Sequence, residues 1–325
     1  MPRVLITSHT FRTLEGNHEA RLTRAGCELV ISPYPRPATE AELLPLVCDV
    51  DAALVGTDAF TRRVLEAAPR LKIVSRFGVG YDAIDVPAAT ELGIWVTTTP
   101  GTNEHSVADA TLALILMLAR QLVPAIEHTR AGHWDRRPTG LELRGLTLGL
   151  VGFGRIGRQV ALRARAFGLT VLVHDVAPDE AAARELGCRY VALDELLRAA
   201  DFVSLHAPAT PQTHHLINTR TLALMKPSAY LINTARGELV DETALVEALT
   251  SGRLAGAALD VFKQEPPDPH NPLLALPNVL PLPHMAGVTA QAGQQMATLA
   301  ADNVLAVLRG ERPPYPVNDP PTPRS

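Results

Sequence analysis

Short runs of apolar and β-branched residues recur along the chain, separated by stretches whose apolar positions repeat every three or four residues. The first five runs are RVLITS, CELVIS, AALVG, LKIVSRFGVG and GIWVTTTP. Between them, TEAELLPLV and TRRVLEAA have helical periodicity, each opened by a threonine placed to accept a bond from an orphan backbone N–H. Apolar strands alternating with helices predict a parallel sheet covered on both faces.

The segment EHSVADATLALILMLARQL is apolar on nearly every side and follows Asn103, a residue suited to an N-cap. It predicts a buried helix at a domain junction. Six further strand patterns follow: TLGLVGFG, TVLVHD, FVSLHAP, AYLINTA, GAALDVF and NVLPLP. With helical stretches between them they predict a second doubly wound sheet. Beyond Pro283 a long helix is expected over Ala290 to Leu308, and RGERPPYPVNDPPTPRS reads as a docked strap ending in a few disordered residues.

A chain of 325 residues suits two such α/β domains. The net charge of −4, with both signs interspersed, gives no basic stripe for nucleic acid or an anionic membrane, so a small ligand is expected. Cys27, Cys48 and Cys188 are odd in number and far apart. They read as small core residues of a protein in a reducing compartment. The start, MPRVLITS, lacks a hydrophobic signal core, and the apolar run ATLALILMLA is half a membrane span, so a cytoplasmic protein is expected.

Chemistry enters with LGLVGFGRIGRQVA. Gly152, Gly154 and Gly157 form G-x-G-x-x-G between a strand and a helix: the first for a tight turn, the second for close approach of a pyrophosphate, the third for helix–strand packing. The helix start adds N–H groups and a positive dipole end. Eighteen residues beyond Gly157, TVLVHD ends in Asp175, placed to bond ribose hydroxyls. No arginine for a 2′-phosphate follows in VAPDE, so NAD is expected rather than NADP.

Reducing a carbonyl with NADH requires a proton donor that titrates near neutrality and a cation for the substrate. Among eleven histidines, His214 and His215 are an adjacent pair without further ligands, and no metal site is expected. His284 in LPLPHMAGVT and Glu265 in DVFKQEPP both lie just past strands, on the edge where open α/β sheets bind ligands. A carboxylate bonded to an imidazole fixes its tautomer, and Arg236, at the end of YLINTA, supplies a planar fork for a carboxylate. The glycine after it is expected to give a ligand room, and Asp241 to cap the next helix.

The segments GFGRIG, INTARGELVD, GAALDVFKQEP and PHMAG resemble, in order and spacing, the D-isomer-specific 2-hydroxyacid dehydrogenases, over most of the chain. The resemblance implies that Arg236 binds the substrate carboxylate and carbonyl, Glu265 supports the histidine, and His284 is the general acid/base. It further implies NAD contacts at Gly152, Gly154, Arg155, Ile156, Gly157, Asp175, His206, Ala207, Pro208, Thr213, Thr234, Ala235, Asp260 and Gly287. Substrate contacts are implied at Arg76, Asn103, Arg136 and the backbone N–H groups of Val79 and Gly80, where two glycines flank one residue in a small anion-binding concavity. It also implies a flavodoxin-like substrate-binding domain of residues 1–101 and 290–325, a Rossmann NAD-binding domain of residues 102–289, a cleft between them, and a homodimer through the cofactor domains.

Within the family, PGTNEHSVAD and AGHWDRRP are similar to segments of D-3-phosphoglycerate dehydrogenase. Gly56 stands where those enzymes tend to carry an arginine, which removes an anion contact of about 1.5–3 kcal/mol, and no regulatory domain is expected after PVNDPPTPRS. The expected protein is an NAD-dependent D-2-hydroxyacid dehydrogenase most like that enzyme. Glyoxylate or hydroxypyruvate is the alternative substrate, and an NAD-sensing corepressor-like binding protein is the alternative of another class.

Overall fold

The computed structural model describes residues 1–14, 18–134 and 140–324. The chain divides into two compact units: Met1–Asn103 with Val288–Ser325, and Glu104–Gly287.

Unit 1 contains β1 (Arg3–Ile6), β2 (Glu28–Ile31), β3 (Ala52–Val55), β4 (Ile73–Arg76) and β5 (Trp95–Thr97). All pair in parallel, in the order β2-β1-β3-β4-β5 of a flavodoxin-like sheet. Strand alternation sends Leu5, Ala53, Val55 and Val74 to one face, with Leu43, Val47, Phe60 and Val64. Val4, Ile6, Ala52 and Leu54 go to the other, in a core shared by Phe11, Leu22 and the helix Ala290–Leu308. Ala297, Ala300 and Ala301 on that helix are fully buried, and their small side chains let it lie close enough for Ser75 Oγ to donate to Ala300 O (3.0 Å).

Thr61 accepts from Val64 N–H, and Thr39 forms a capping box with Glu42, whose carboxylate takes the Thr39 N–H and hydroxyl. Two local expectations change. Cys48 is exposed rather than in the core. The tail stays ordered to Arg324: Val317 N–H bonds Val96 O (2.7 Å), Asn318 bonds Ile94 O and Thr90, and Arg324 reaches Gly93 O and Ala68 O. Its prolines leave its few N–H groups for the edge strand β5, against which it runs antiparallel.

Unit 2 holds β6 (Thr147–Val151), β7 (Thr170–His174), β8 (Arg189–Tyr190), β9 (Phe202–Leu205), β10 (Tyr230–Asn233), β11 (Gly256–Leu259) and β12 (Val279–Pro281). They form one parallel sheet in the order β12-β11-β10-β9-β6-β7-β8, the doubly wound order with its switch point between β6 and β9. The two-residue β8 was absent from the sequence expectation, being too short to show periodicity.

The expected buried helix breaks into Glu104–Ala119 and Leu122–Arg130. Gln121 takes a left-handed φ of 51°, its side chain bonds Leu118 O, and Leu141 N–H returns to Ala119 O (2.7 Å), so the terminal carbonyls are satisfied without another turn. Among the described residues no single helix is long and apolar enough to cross a membrane.

Candidate active site

In unit 2 the expected residues gather at the carboxyl edge of the sheet. The loop after β6 carries the glycines. Gly152 has a φ of 99°, and a Cβ there would lie 2.6 Å from the His206 carbonyl carbon. A Cβ on Gly157 would sit 2.3 Å from Gly152 O, whereas one on Gly154 would meet no protein atom within 4 Å. The first and third glycines are therefore demanded by the protein's own packing, and the second leaves open space. That opening lies at the N-cap of the helix Arg155–Ala166, beside exposed Arg155 and half-buried Ile156.

Asp175, just past β7, accepts from Phe153 N–H (2.7 Å) and Ala177 N–H (3.0 Å), which ties it to the glycine loop. Arg158 pairs with Asp179 (2.7 Å) and donates to Phe153 O. Across the switch point, after β9, His206 is half-buried overall. Its Nδ1 is nevertheless sealed from solvent with no partner among the described residues, and its Nε2 lies 2.9 Å from Ser204 Oγ. Burial pushes its pKa down to about 3, so it is a neutral ring. Ala207 and Pro208 follow, the latter's carbonyl taking the Thr213 hydroxyl (2.7 Å). Thr234 is buried, 3.3 Å from Thr111 Oγ1. An open glycine cradle, a helix N-terminus and an acid on the adjoining strand fit a dinucleotide.

Three loops bring Arg236, Glu265 and His284 together. His284 Nδ1 lies 2.7 Å from Glu265 Oε2, and Glu265 Oε1 accepts from Phe262 N–H (3.1 Å). Burial alone would raise the Glu265 pKa. The bond and charge of His284, the Phe262 N–H and the Arg236 charge outweigh it and hold this carboxylate below its usual range. His284 has a left-handed φ of 53°, a conformation that costs about 1–3 kcal/mol in a residue with a side chain. Buried Asp260 holds it there: its carbonyl accepts His284 N–H, and its carboxylate accepts Met285 N–H (2.7 Å) and Ala286 N–H (2.8 Å), just before half-buried Gly287. With Nδ1 committed to Glu265, Nε2 is the nitrogen left to exchange a proton. A cation, an oriented imidazole and an ionised carboxylate can bind a 2-oxo acid and protonate its carbonyl oxygen.

Residues 112–286 match the D-isomer specific 2-hydroxyacid dehydrogenase, NAD binding domain. The chain belongs to the D-isomer specific 2-hydroxyacid dehydrogenase family. The dehydrogenase is 47% identical over 300 residues to a glyoxylate reductase of Thermofilum pendens, covering 90% of this chain and 88% of that one. It is 45% identical to a D-3-phosphoglycerate dehydrogenase of Methanocaldococcus jannaschii, covering 88% of this chain but 55% of the relative. The structure of an NADPH-dependent glyoxylate/hydroxypyruvate reductase from Sinorhizobium meliloti superposes with a TM-score of 0.85 at 36% identity, covering 100% of both chains. The dehydrogenase is thus an NAD-dependent oxidoreductase with an NAD-binding domain.

In unit 1, Arg76 ends β4 and turns back on its own loop, Nε donating to Gly80 O (2.9 Å) and Nη1 to Phe77 O. Gly78 makes this possible: its φ is 141°, and a Cβ there would lie 2.7 Å from Arg76 Nη1. The guanidinium expected to face substrate is engaged by loop carbonyls. The N–H groups of Val79 and Gly80 donate to no described residue, which leaves two adjacent donors for an anion. Asn103 is half-buried immediately before the helix Glu104–Ala119, and Arg136 lies outside the described residues.

Sequence reasoning missed Asn233 and misread Gly237. A Cβ on Gly237 would sit 2.0 Å from the Phe262 carbonyl carbon and 2.4 Å from Lys263 N, so this glycine admits the loop carrying Glu265, not a ligand. Asp241 does cap the helix Glu242–Thr250, and Glu242 accepts Lys263 N–H (2.7 Å), a second tie between these loops. Asparagine at a strand end is an Asx-turn signal that could have flagged position 233.

Proposed function

We propose that the dehydrogenase reduces small 2-oxo acids with a single anionic group, glyoxylate and hydroxypyruvate, in preference to phosphohydroxypyruvate. The observation that carries this reading is the Arg76 guanidinium turned onto Phe77 O and Gly80 O, next to an anion loop that offers Val79 and Gly80 N–H groups for one carboxylate. Gly56 adds no cation, and its own N–H is taken by buried Asp58 (3.0 Å). The glyoxylate reductase relatives, matched over nearly their whole length, support the same choice.

In this reading Arg236 binds and orients the substrate carboxylate, and His284 Nε2 delivers a proton to the carbonyl oxygen. Glu265 stays ionised and holds the ring through Nδ1. Bound NADH supplies the hydride. Gly154 and the helix start behind it take the pyrophosphate, and Asp175 the ribose hydroxyls. The enzyme works as a homodimer, a reading supported by the helix Leu122–Arg130, which buries no residue although Leu122 and Ile126 are apolar and exposed. Its three unpaired thiols suit the cytoplasm.

Steady-state oxidation of NADH and NADPH with glyoxylate, hydroxypyruvate and phosphohydroxypyruvate tests this, with H284A and R236A as controls. We expect kcat/KM for one of the unphosphorylated acids to exceed that for phosphohydroxypyruvate at least tenfold, with kcat/KM lowered at least a hundredfold in both variants while NADH still binds. A tenfold preference for phosphohydroxypyruvate overturns the substrate reading. Tight NADH binding without turnover of any acid points to an NAD-sensing role instead.

A further inference from the structure

We propose that Asn233 is the positioning residue that aims Arg236, an inference that rests on the reading of Arg236 as the substrate cation. Arg236 does not belong to a helix or strand. It sits three residues past the end of β10 on an extended segment (φ −145°, ψ 141°), just before the one-turn 3-10 helix Gly237–Leu239, whose Leu239 N–H reaches the Arg236 carbonyl only weakly (3.3 Å). Asn233, 1% exposed, spans that segment: Oδ1 accepts Ala235 N–H (3.0 Å) and Nδ2 donates to Arg236 O (2.8 Å). One amide thus holds the Thr234–Ala235 peptide by its N–H and the Arg236–Gly237 peptide by its carbonyl, bracketing the backbone from which the Cβ of Arg236 leaves.

The same residue refers Arg236 to the rest of the catalytic group. Asn233 pairs with Leu259 in the β10–β11 register, and its carbonyl accepts Asp260 N–H (2.9 Å). Asp260 in turn holds His284 through the bonds described above. On the far side of Arg236, Gly237 lies against the Phe262–Lys263 backbone, whose Phe262 N–H holds Glu265. Arg236 is therefore pinned at both ends to the strand and loop that position its two partners. Asn233 is the pin whose removal leaves strand pairing intact, because the pairing uses its backbone and the aiming uses its side chain.

The test is a set of variants read by KM, kcat, NADH affinity and melting temperature. N233A should raise KM for glyoxylate at least tenfold, with the Kd for NADH within twofold of the native value. Because Asn233 is read as acting through Arg236, N233A should cause no further loss of kcat/KM in an R236A background, measured at high enzyme concentration. N233D is isosteric and repeats both bonds only when its carboxyl is protonated. Its KM, relative to the native enzyme at the same pH, should fall back toward one as pH is lowered from 8 to 5.5, and it decides the matter should N233A fail to fold. A native KM in both variants, with only the melting temperature lowered, overturns the proposal. So does an equal loss from N233A with and without Arg236. R236A with a native KM overturns the reading of Arg236 itself, a result distinguishable from failure of Asn233 alone.

Discussion

His206 makes the dehydrogenase sensitive to acid in a way that can be isolated. Its ring is neutral in the native state, with its pKa pushed down to about 3 by burial; Nδ1 is sealed, with no partner among the described residues, and Nε2 faces Ser204 Oγ. In the unfolded chain the same ring titrates near its ordinary value of about 6.5. A folded pKa below the unfolded one gives stability that is complete above pH 6.5 and drains away as pH falls toward 3. At pH 5 the unfolded state holds the proton and the native state does not, a loss of about 2 kcal/mol relative to pH 8. For a unit the size of Glu104–Gly287 this lowers the melting temperature by about 4–8 °C. Other groups titrate in the same range, so the measurement is a difference. His206→Gln keeps a nitrogen near Ser204 and cannot charge. Calorimetry or circular dichroism of both proteins, free of cofactor, from pH 8 to 5 should show the native protein losing about 2 kcal/mol more than the variant. Parallel curves, within about 0.5 kcal/mol, would refute the neutral buried ring.

The glycine loop yields a paired prediction. G154A should fold with a loss below about 1 kcal/mol, since its Cβ meets nothing, yet raise the Kd for NADH at least tenfold in a fluorescence titration. G157A, whose Cβ would strike Gly152 O at 2.3 Å, should instead lose about 3 kcal/mol of stability by denaturant unfolding. E265Q keeps an acceptor for Phe262 N–H but loses the charge-assisted bond to His284. kcat/KM should fall at least tenfold at pH 7, with a melting temperature close to native. G56R should restore a cation beside the anion loop's sheet edge and narrow the preference for unphosphorylated acids in competition assays, although its new side chain must first clear Asp58 Oδ2, 3.3 Å from the Cβ position.

Much of the architecture was legible because burial on both faces of a parallel sheet leaves an unmistakable trace. Val4, Leu5 and Ile6 in β1, and the four residues of β3, are all buried, and such runs announce themselves. The strand-end chemistry was legible for a related reason: a charge such as Arg236 directly after a buried strand has no place in a core. What escaped were features that exist only between segments distant in sequence. Gly237 looks like any loop glycine until the Phe262 backbone is seen against it, and Asn233 looks like any strand-end amide. The bonds of Arg76 to Phe77 O and Gly80 O were equally invisible, since position along the chain does not show which carbonyls a guanidinium meets. The break at Gln121 was hidden because the residues on either side keep a helical pattern, and the carbonyls that end the first helix are taken by Leu141 and a side chain.

The helix Ala290–Leu308 covers the β3–β5 part of one face of the unit 1 sheet, yet it is encoded after all of unit 2. During synthesis the strands β1 to β5 therefore emerge first and wait, with Ala52, Leu54 and Ile73 lacking their cover, while more than half of the chain is still to be made. Unit 2 is drawn from one uninterrupted stretch and can close its own core as soon as β12 has left the ribosome. The half that begins first is the half that finishes last, and its bare apolar face is the hazard a nascent chain must carry across that delay.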